Sequence, residues 1–210
     1  MAERSARPLA WLLLLSAACA GLPAARGPRA SAELHVTSGA LEHGADGALL
    51  IREGSVRAEL TRKTDAAELQ FVYRGPARGA QPLASGELRR QIGLKLRARD
   101  TCNVVYVMWH IEPRAQLEVS VKSNPAQRTH AECRDHGYHF VRGRSVQGVP
   151  LITPDVWHRL RAELHGRELR VWADGRVAWE GTLPDTALHF DGPVGLRSDN
   201  GRFELHFEAP

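Results

Sequence analysis

The segment THAECRDHGYHF, residues 129–140, sets His130, Cys133, His136 and His139 at intervals of three, with Glu132 and Asp135 between them. Imidazole, thiolate and carboxylate are the donors that zinc takes, so a cluster this dense could hold a metal. Residues three apart converge on a helix but alternate faces on a strand. Gly137 and the flanking SNPAQR favour a loop, so spacing alone does not gather the donors. Whether Cys133 is free to ligate depends on where the protein resides.

Residues 1–20 read as a secretory signal. Arg4 and Arg7 precede the apolar run LAWLLLLSAACA, which ends in small residues. That run falls short of the roughly 20 residues a membrane-spanning helix needs. Ala18-Cys19-Ala20 fits an ordinary signal-peptidase site; Leu15 to Cys19 also fits a loose bacterial lipobox, in which Cys19 would carry lipid. The protein is therefore expected to be bacterial and either secreted or periplasmic, touching a membrane only if Cys19 is lipidated. Residues 21–32, GLPAARGPRASA, read as a flexible linker, and residues 33–210 as one domain.

Export leaves Cys102 and Cys133 as natural disulfide partners. Closing a loop of about 30 residues contributes roughly 3–4 kcal/mol in the chain-entropy model. The bridge would staple segment 129–140 to the start of a long strand. A disulfide without metal is the expectation. The alternatives are zinc held by His130, His136 and His139 with Asp135, or calcium on loop carboxylates and carbonyls.

The elements that must position any site are strands. QIGLKLR alternates Ile92, Leu94 and Leu96 with Gly93, Lys95 and Arg97; NVVYVMWHIE and QLEVSVK alternate likewise. Eleven such segments occur, separated by Gly, Pro, Asp and Asn. His165-Gly166 and Asp174-Gly175 mark turns in the C-terminal part. An all-β fold follows, as a two-sheet antiparallel sandwich, because one sheet of that size would leave a wide face wet.

The segment from Asp155 to Ala209 carries Trp157, Leu164, Gly166 and Leu169, then an Asp174-Gly175 hairpin, then Gly192, Gly195 and Leu196 before a final strand. Over roughly residues 155–208 this resembles the C-terminal half of concanavalin A-like lectin and glucanase domains, in particular the branch with 3-keto-disaccharide hydrolases and laminin-G-like domains. SVRAELTRK and GLKLRARDTCNVVYVMW match more weakly, and where that hydrolase branch carries Asn-Ser-Gly this chain has Cys102-Asn103-Val104. The resemblance implies a concanavalin A-like jelly roll and, as one activity of the branch, glycoside hydrolysis.

In NVVYVMWHIE, Val105, Val107, Trp109 and Ile111 form the apolar set expected in the core. Val104, Tyr106, Met108, His110 and Glu112 then leave on the other face, joined by Lys95 and Arg97 on one side and by Glu118, Ser120 and Lys122 on the other. Lys95, Arg97, Tyr106, His110, Glu112 and Glu118 are the candidate ligand-binding residues, with Tyr106 stacking on a pyranose and the charged groups bonding hydroxyls or acidic sugars. Trp179, grouped with Val177, is expected in the core, and Trp172 partly exposed.

Several classes fall away. The glucanase pattern E-x-D-x-x-E is absent, as are G-x-S-x-G, H-E-x-x-H and phosphate-loop motifs, so no catalytic residue and no cofactor is expected. The 28 basic and 24 acidic residues interleave along the chain, unlike a nucleic-acid footprint. No pattern fixes an oligomeric state. The leading expectation is an exported module that binds carbohydrate or envelope glycan without catalysis. A glycoside hydrolase and a structural or protein-interaction module are the alternatives.

Overall fold

A computed structural model describes residues 33–209. The expected signal segment 1–20, the linker 21–32, Cys19 and Pro210 lie outside the described residues. In chain order the strands are β1 (His35–Ser38), β2 (Glu42–His43), β3 (Leu49–Ile51), β4 (Val56–Glu59), β5 (Ala66–Pro76), β6 (Arg90–Leu96), β7 (Val104–Glu112) and β8 (Gln116–Lys122). A single helical turn, α1 (His130–Cys133), leads to β9 (Tyr138–Phe140), β10 (Ser145–Val146), β11 (Trp157–His165), β12 (Glu168–Ala173), β13 (Arg176–Thr182), β14 (Gly195–Asp199) and β15 (Gly201–Glu208). The eleven strands legible as alternation are all present. The four additions, β1, β2, β9 and β10, are the edge strands of the two sheets, each two to four residues long.

Two antiparallel sheets pack as a sandwich. The front sheet has the order β1-β4-β14-β6-β7-β8-β9, and the back sheet β10-β13-β12-β11-β5-β15-β3-β2. Val105, Val107 and Trp109 point inward from the front, against Leu69, Phe71, Phe203, Leu205 and Phe207 from the back, all buried. Phe71 meets Trp109 edge to face at 5.9 Å between ring centroids. Dispersion and burial of this layer hold the sheets together. Ile111 is partly buried against the same core.

The Asp174-Gly175 turn has φ of 49° and 77°, the two left-handed residues that a tight hairpin requires. One expected pairing of faces changes. A β-bulge sets Trp172 opposite Val177 and Val171 opposite Trp179, so Trp179 is buried while Val177 leaves with Trp172 on the outer face.

Segment 129–140, expected as a loop, begins with the α1 turn. Glu132 Oε2 accepts from the Thr129 and Arg128 amides at 2.7 and 3.0 Å. Those bonds, Thr129's first, hold the carboxyl down at about 2. Cys133 turns inward and bonds Cys102, with Cα atoms 5.8 Å apart. His139 alternates with Tyr138 and Phe140 on β9, so it leaves on the opposite face from them. Among the described residues, no three His, Cys, Asp or Glu side chains converge as a metal-ligand set.

Candidate functional site

Strand pairing arranges the outward side chains of the front sheet in cross-strand rows. Arg57, Arg197, Gly93, Met108 and Glu118 form one row, running from β4 through β14, β6 and β7 to β8. Glu59, Gly195, Lys95, Tyr106, Ser120 and Phe140 form the next, reaching β9. Lys122 and Tyr138 pair beyond it. A Cβ at Gly93 would collide with the Val107 carbonyl and the Met108 thioether, so this position stays bare between Arg197 and Met108.

Two segments wall this floor. Residues 77–89, between β5 and β6, are clamped by Asn200: its Oδ1 accepts from the Gln81 amide at 3.0 Å, and its Nδ2 donates to the Gln81 and Arg89 carbonyls at 2.9 Å each. Residues 123–140 are held by Asn103, whose side chain donates to Gln127 O and accepts from the Asn124 amide, both at 2.9 Å, and by the disulfide. Gly137, at φ +81°, packs directly on the Asn124 amide group, where a side chain would not fit. Between the walls lies a pocket of about 730 Å³.

The floor is charged and buried. Asp199 accepts from Arg57 at 2.6 Å, Arg197 Nε at 2.9 Å and Gln91 at 2.7 Å. Burial alone would raise the Asp199 carboxyl; Arg197 and Arg57 outweigh it and hold it at about 2. The Arg197 guanidinium also lies 4.8 Å from the Tyr106 ring centroid and donates to the Tyr138 hydroxyl at 3.2 Å. Lys95 pairs with Glu59, and burial pulls its ammonium down from the ordinary lysine range. Lys122 donates to the Arg134 carbonyl at 2.6 Å and sits 5.1 Å from the Tyr138 ring centroid. Burial first, then the Arg197 charge, lower it to about 8.

At the other end, Arg89 pairs with Glu87 and reaches Glu118 at 3.4 Å. Burial raises the Glu118 carboxyl, with Arg89 opposing. His110 lies 2% exposed, with Arg89 Nη1 at 3.3 Å from its Nε2. The Gln116 amide nitrogen lies 3.0 Å from its Nδ1 on the other side. Burial, with Arg89 adding to it, pushes His110 down to about 4.

The structure thus brings Lys95, Tyr106, His110 and Glu118 onto one face. Two expected site residues sit elsewhere. Arg97 follows the end of β6 with φ of 49°, which swings its side chain to the Ala187 and Gly166 carbonyls. Glu112 ends β7 exposed and pairs with Arg90 beside a β-bulge. Tyr106 is packed against Tyr138 and Arg197 and only 5% exposed, so it builds the floor and has no open face for a pyranose. Arg57, Gln91, Lys122, Tyr138, Arg197 and Asp199 were not among the expected site residues. Alternation in GLRSD marks Arg197 and Asp199 as a facing pair, but their placement beside β6 is a long-range pairing.

The fold is matched by the carbohydrate-binding module CBM66 from Bacillus subtilis, with a TM-score of 0.59 over 85% of this chain and 97% of that one, at 12% identity. Further similarities are to the carbohydrate recognition domain of Emp46p (TM-score 0.49, 10% identity, 83% of this chain and 86% of that one). The GH43 protein BlXynB from Bacillus licheniformis matches with a TM-score of 0.48 at 11% identity, over 78% of this chain and 33% of that one. No family model matches the chain, and no curated protein matches its sequence. At these identities the likeness is one of fold: a jelly-roll sandwich, as the concanavalin A-like pattern implied.

Proposed function

We propose that the protein is an exported carbohydrate-binding module that holds a glycan on the outer face of the front sheet without transforming it. The pocket carries this reading. It is a walled cavity on a rigid sheet, with convergent hydrogen-bonding groups and an aromatic ring, Phe140, 67% exposed at its rim. Phe140 takes the stacking role first expected of Tyr106. The fold shared with a carbohydrate-binding module supports the reading, as the disulfide and the signal-like residues 1–20 support export.

On a glycan array, Phe140→Ala is expected to weaken retention by about fivefold or more, from lost ring contact, with an unchanged circular dichroism spectrum. A folded wild-type protein that retains no glycan would withdraw the proposal in favour of a protein-interaction module. A hydrolase of the 3-keto-disaccharide branch is the second reading, favoured by one observation: Glu118 is a partly buried carboxyl with a raised pKa lining the pocket. It requires turnover of a 3-keto-disaccharide that Glu118→Gln abolishes.

A further inference from the structure

The floor of the pocket holds more positive charge than its own carboxylates neutralise. Lys95 is matched by Glu59. Arg57 and Arg197 share one carboxylate, Asp199. Lys122 is 1% exposed and makes no ion pair among the described residues; its one hydrogen bond goes to a backbone carbonyl, although an ammonium has three donors. Four cations thus face two carboxylates on the floor, with Asp135 a third at the rim. Burying a charge without an ion-pair partner is costly, and the nearby Arg197 and Arg57 add repulsion that Asp135 and Asp100, neither within ion-pair distance, oppose.

The opposite end of the pocket has the reverse balance, with Glu87 and Glu118 around Arg89. Asp135 and Arg134 also line the rim, one of each sign. Glu118 and Lys122 lie on the same face of β8, four residues and therefore about 13 Å apart. The pocket is polarised along that strand: cations at one end, hydrogen-bond-accepting carboxylates at the other.

We infer that the pocket takes an acidic sugar of a glycan, its carboxylate or sulfate seated between Lys122 and Arg197 and its hydroxyls donating to Glu118 and Glu87. This rests on the glycan reading above and specifies the class of sugar. An anion at Lys122 supplies an ion-pair partner, and Arg197, with Nε on Asp199 and Nη1 on the Tyr138 hydroxyl, adds a fixed positive charge beside it.

The test is calorimetric titration with oligogalacturonate and its methyl ester, in which a methyl group removes the charge, and with oligoalginate and heparin oligosaccharides beside their uncharged analogues. The free acid, or the sulfated ligand, is expected to bind at least about tenfold more tightly than its uncharged counterpart. The preference should persist at moderate salt because the cations are buried. Lys122→Met should remove most of it. The same variant is expected to melt at higher temperature at pH 7, since Lys122, with a folded pKa below its unfolded one, opposes folding while protonated. A merely structural lysine would lower both.

Preference for carboxylate over sulfate, or the reverse, identifies the group. Equal affinity for charged and uncharged forms overturns the acidic-sugar inference and leaves the glycan reading standing. Acidic-glycan binding that Lys122→Met leaves intact places the attraction elsewhere and overturns it as well. Absence of any glycan binding overturns both. Should Lys122→Met not fold, the wild-type comparison of acid with ester decides alone.

Discussion

The two outer faces of the sandwich carry the same kinds of residue and treat them in opposite ways. On the back sheet, Arg161 and Arg170 flank Trp172 at 5.6 and 5.8 Å, Arg74 pairs with Asp155 and Glu204, and Arg159 with Glu68. The side chains of those arginines are 42–58% exposed. On the front sheet, Lys95, Lys122 and Asp199 are at most 1% exposed and Arg197 9%. Alternation sends charged groups outward on both. What differs is the covering: segments 77–89 and 123–140 rise over the front, held by Asn200, Asn103 and the Cys102–Cys133 bond. Outward from the core means wet on one side and enclosed on the other. Only the enclosed charges are stiff and strong enough to select a ligand.

The largest expected contrast comes from removing one arginine on each face. Arg197→Ala leaves Asp199, fully buried, with Arg57 and Gln91 alone. Breaking a buried charge network in this way is expected to cost about 3 kcal/mol or more in urea denaturation. A loss no greater than that of an exposed arginine would erase the distinction between the faces.

The next effect is read by pH. His110 is held at about 4 in the folded protein, against an ordinary value of 6.5, chiefly by burial. Its folded pKa is depressed, so the unfolded chain binds the extra proton between the two values. Stability attributed to His110 is therefore complete above pH 6.5 and falls as pH drops toward 4, by about 3 kcal/mol at most. Asp199, at about 2, adds a further loss only below its ordinary 3.8. His110→Gln should flatten the first window in equilibrium unfolding. A slope that survives the substitution would move its origin away from the front face.

The fold was legible because core strands carry their own period: the eleven strands inside the sheet edges, both turns and the inward set Val105, Val107 and Trp109 follow from local pattern. The disulfide followed from compartment and cysteine count. The site was half legible. Lys95, Tyr106, His110 and Glu118 lie on three strands that are neighbours in sequence as well as in space. Arg197, Asp199 and Arg57 arrive from β14 and β4, about 100 residues downstream of β6 and 30 upstream, through pairings that no local pattern encodes. Arg97 and Glu112 were misplaced because both sit at strand ends, where a positive φ or a bulge cancels the alternation.

The smallest expected effect tests the back face itself. Arg170 pairs with Glu180 across the β12–β13 hairpin with 58% of its side chain exposed. Solvent screens such a pair, and ordering two long side chains offsets most of its attraction. Arg170→Gln should change stability by about 0.5 kcal/mol or less, and 1 M salt, with a Debye length of about 3 Å, should abolish even that difference. The Asp199 carboxylate in the Arg57–Asp199–Arg197 group is fully buried, so the destabilisation by Arg197→Ala should survive the same salt nearly unchanged. A parallel salt response at Arg170 and Arg197 would mean that water reaches the front floor, and the pocket would then hold its cations no more firmly than the open surface does.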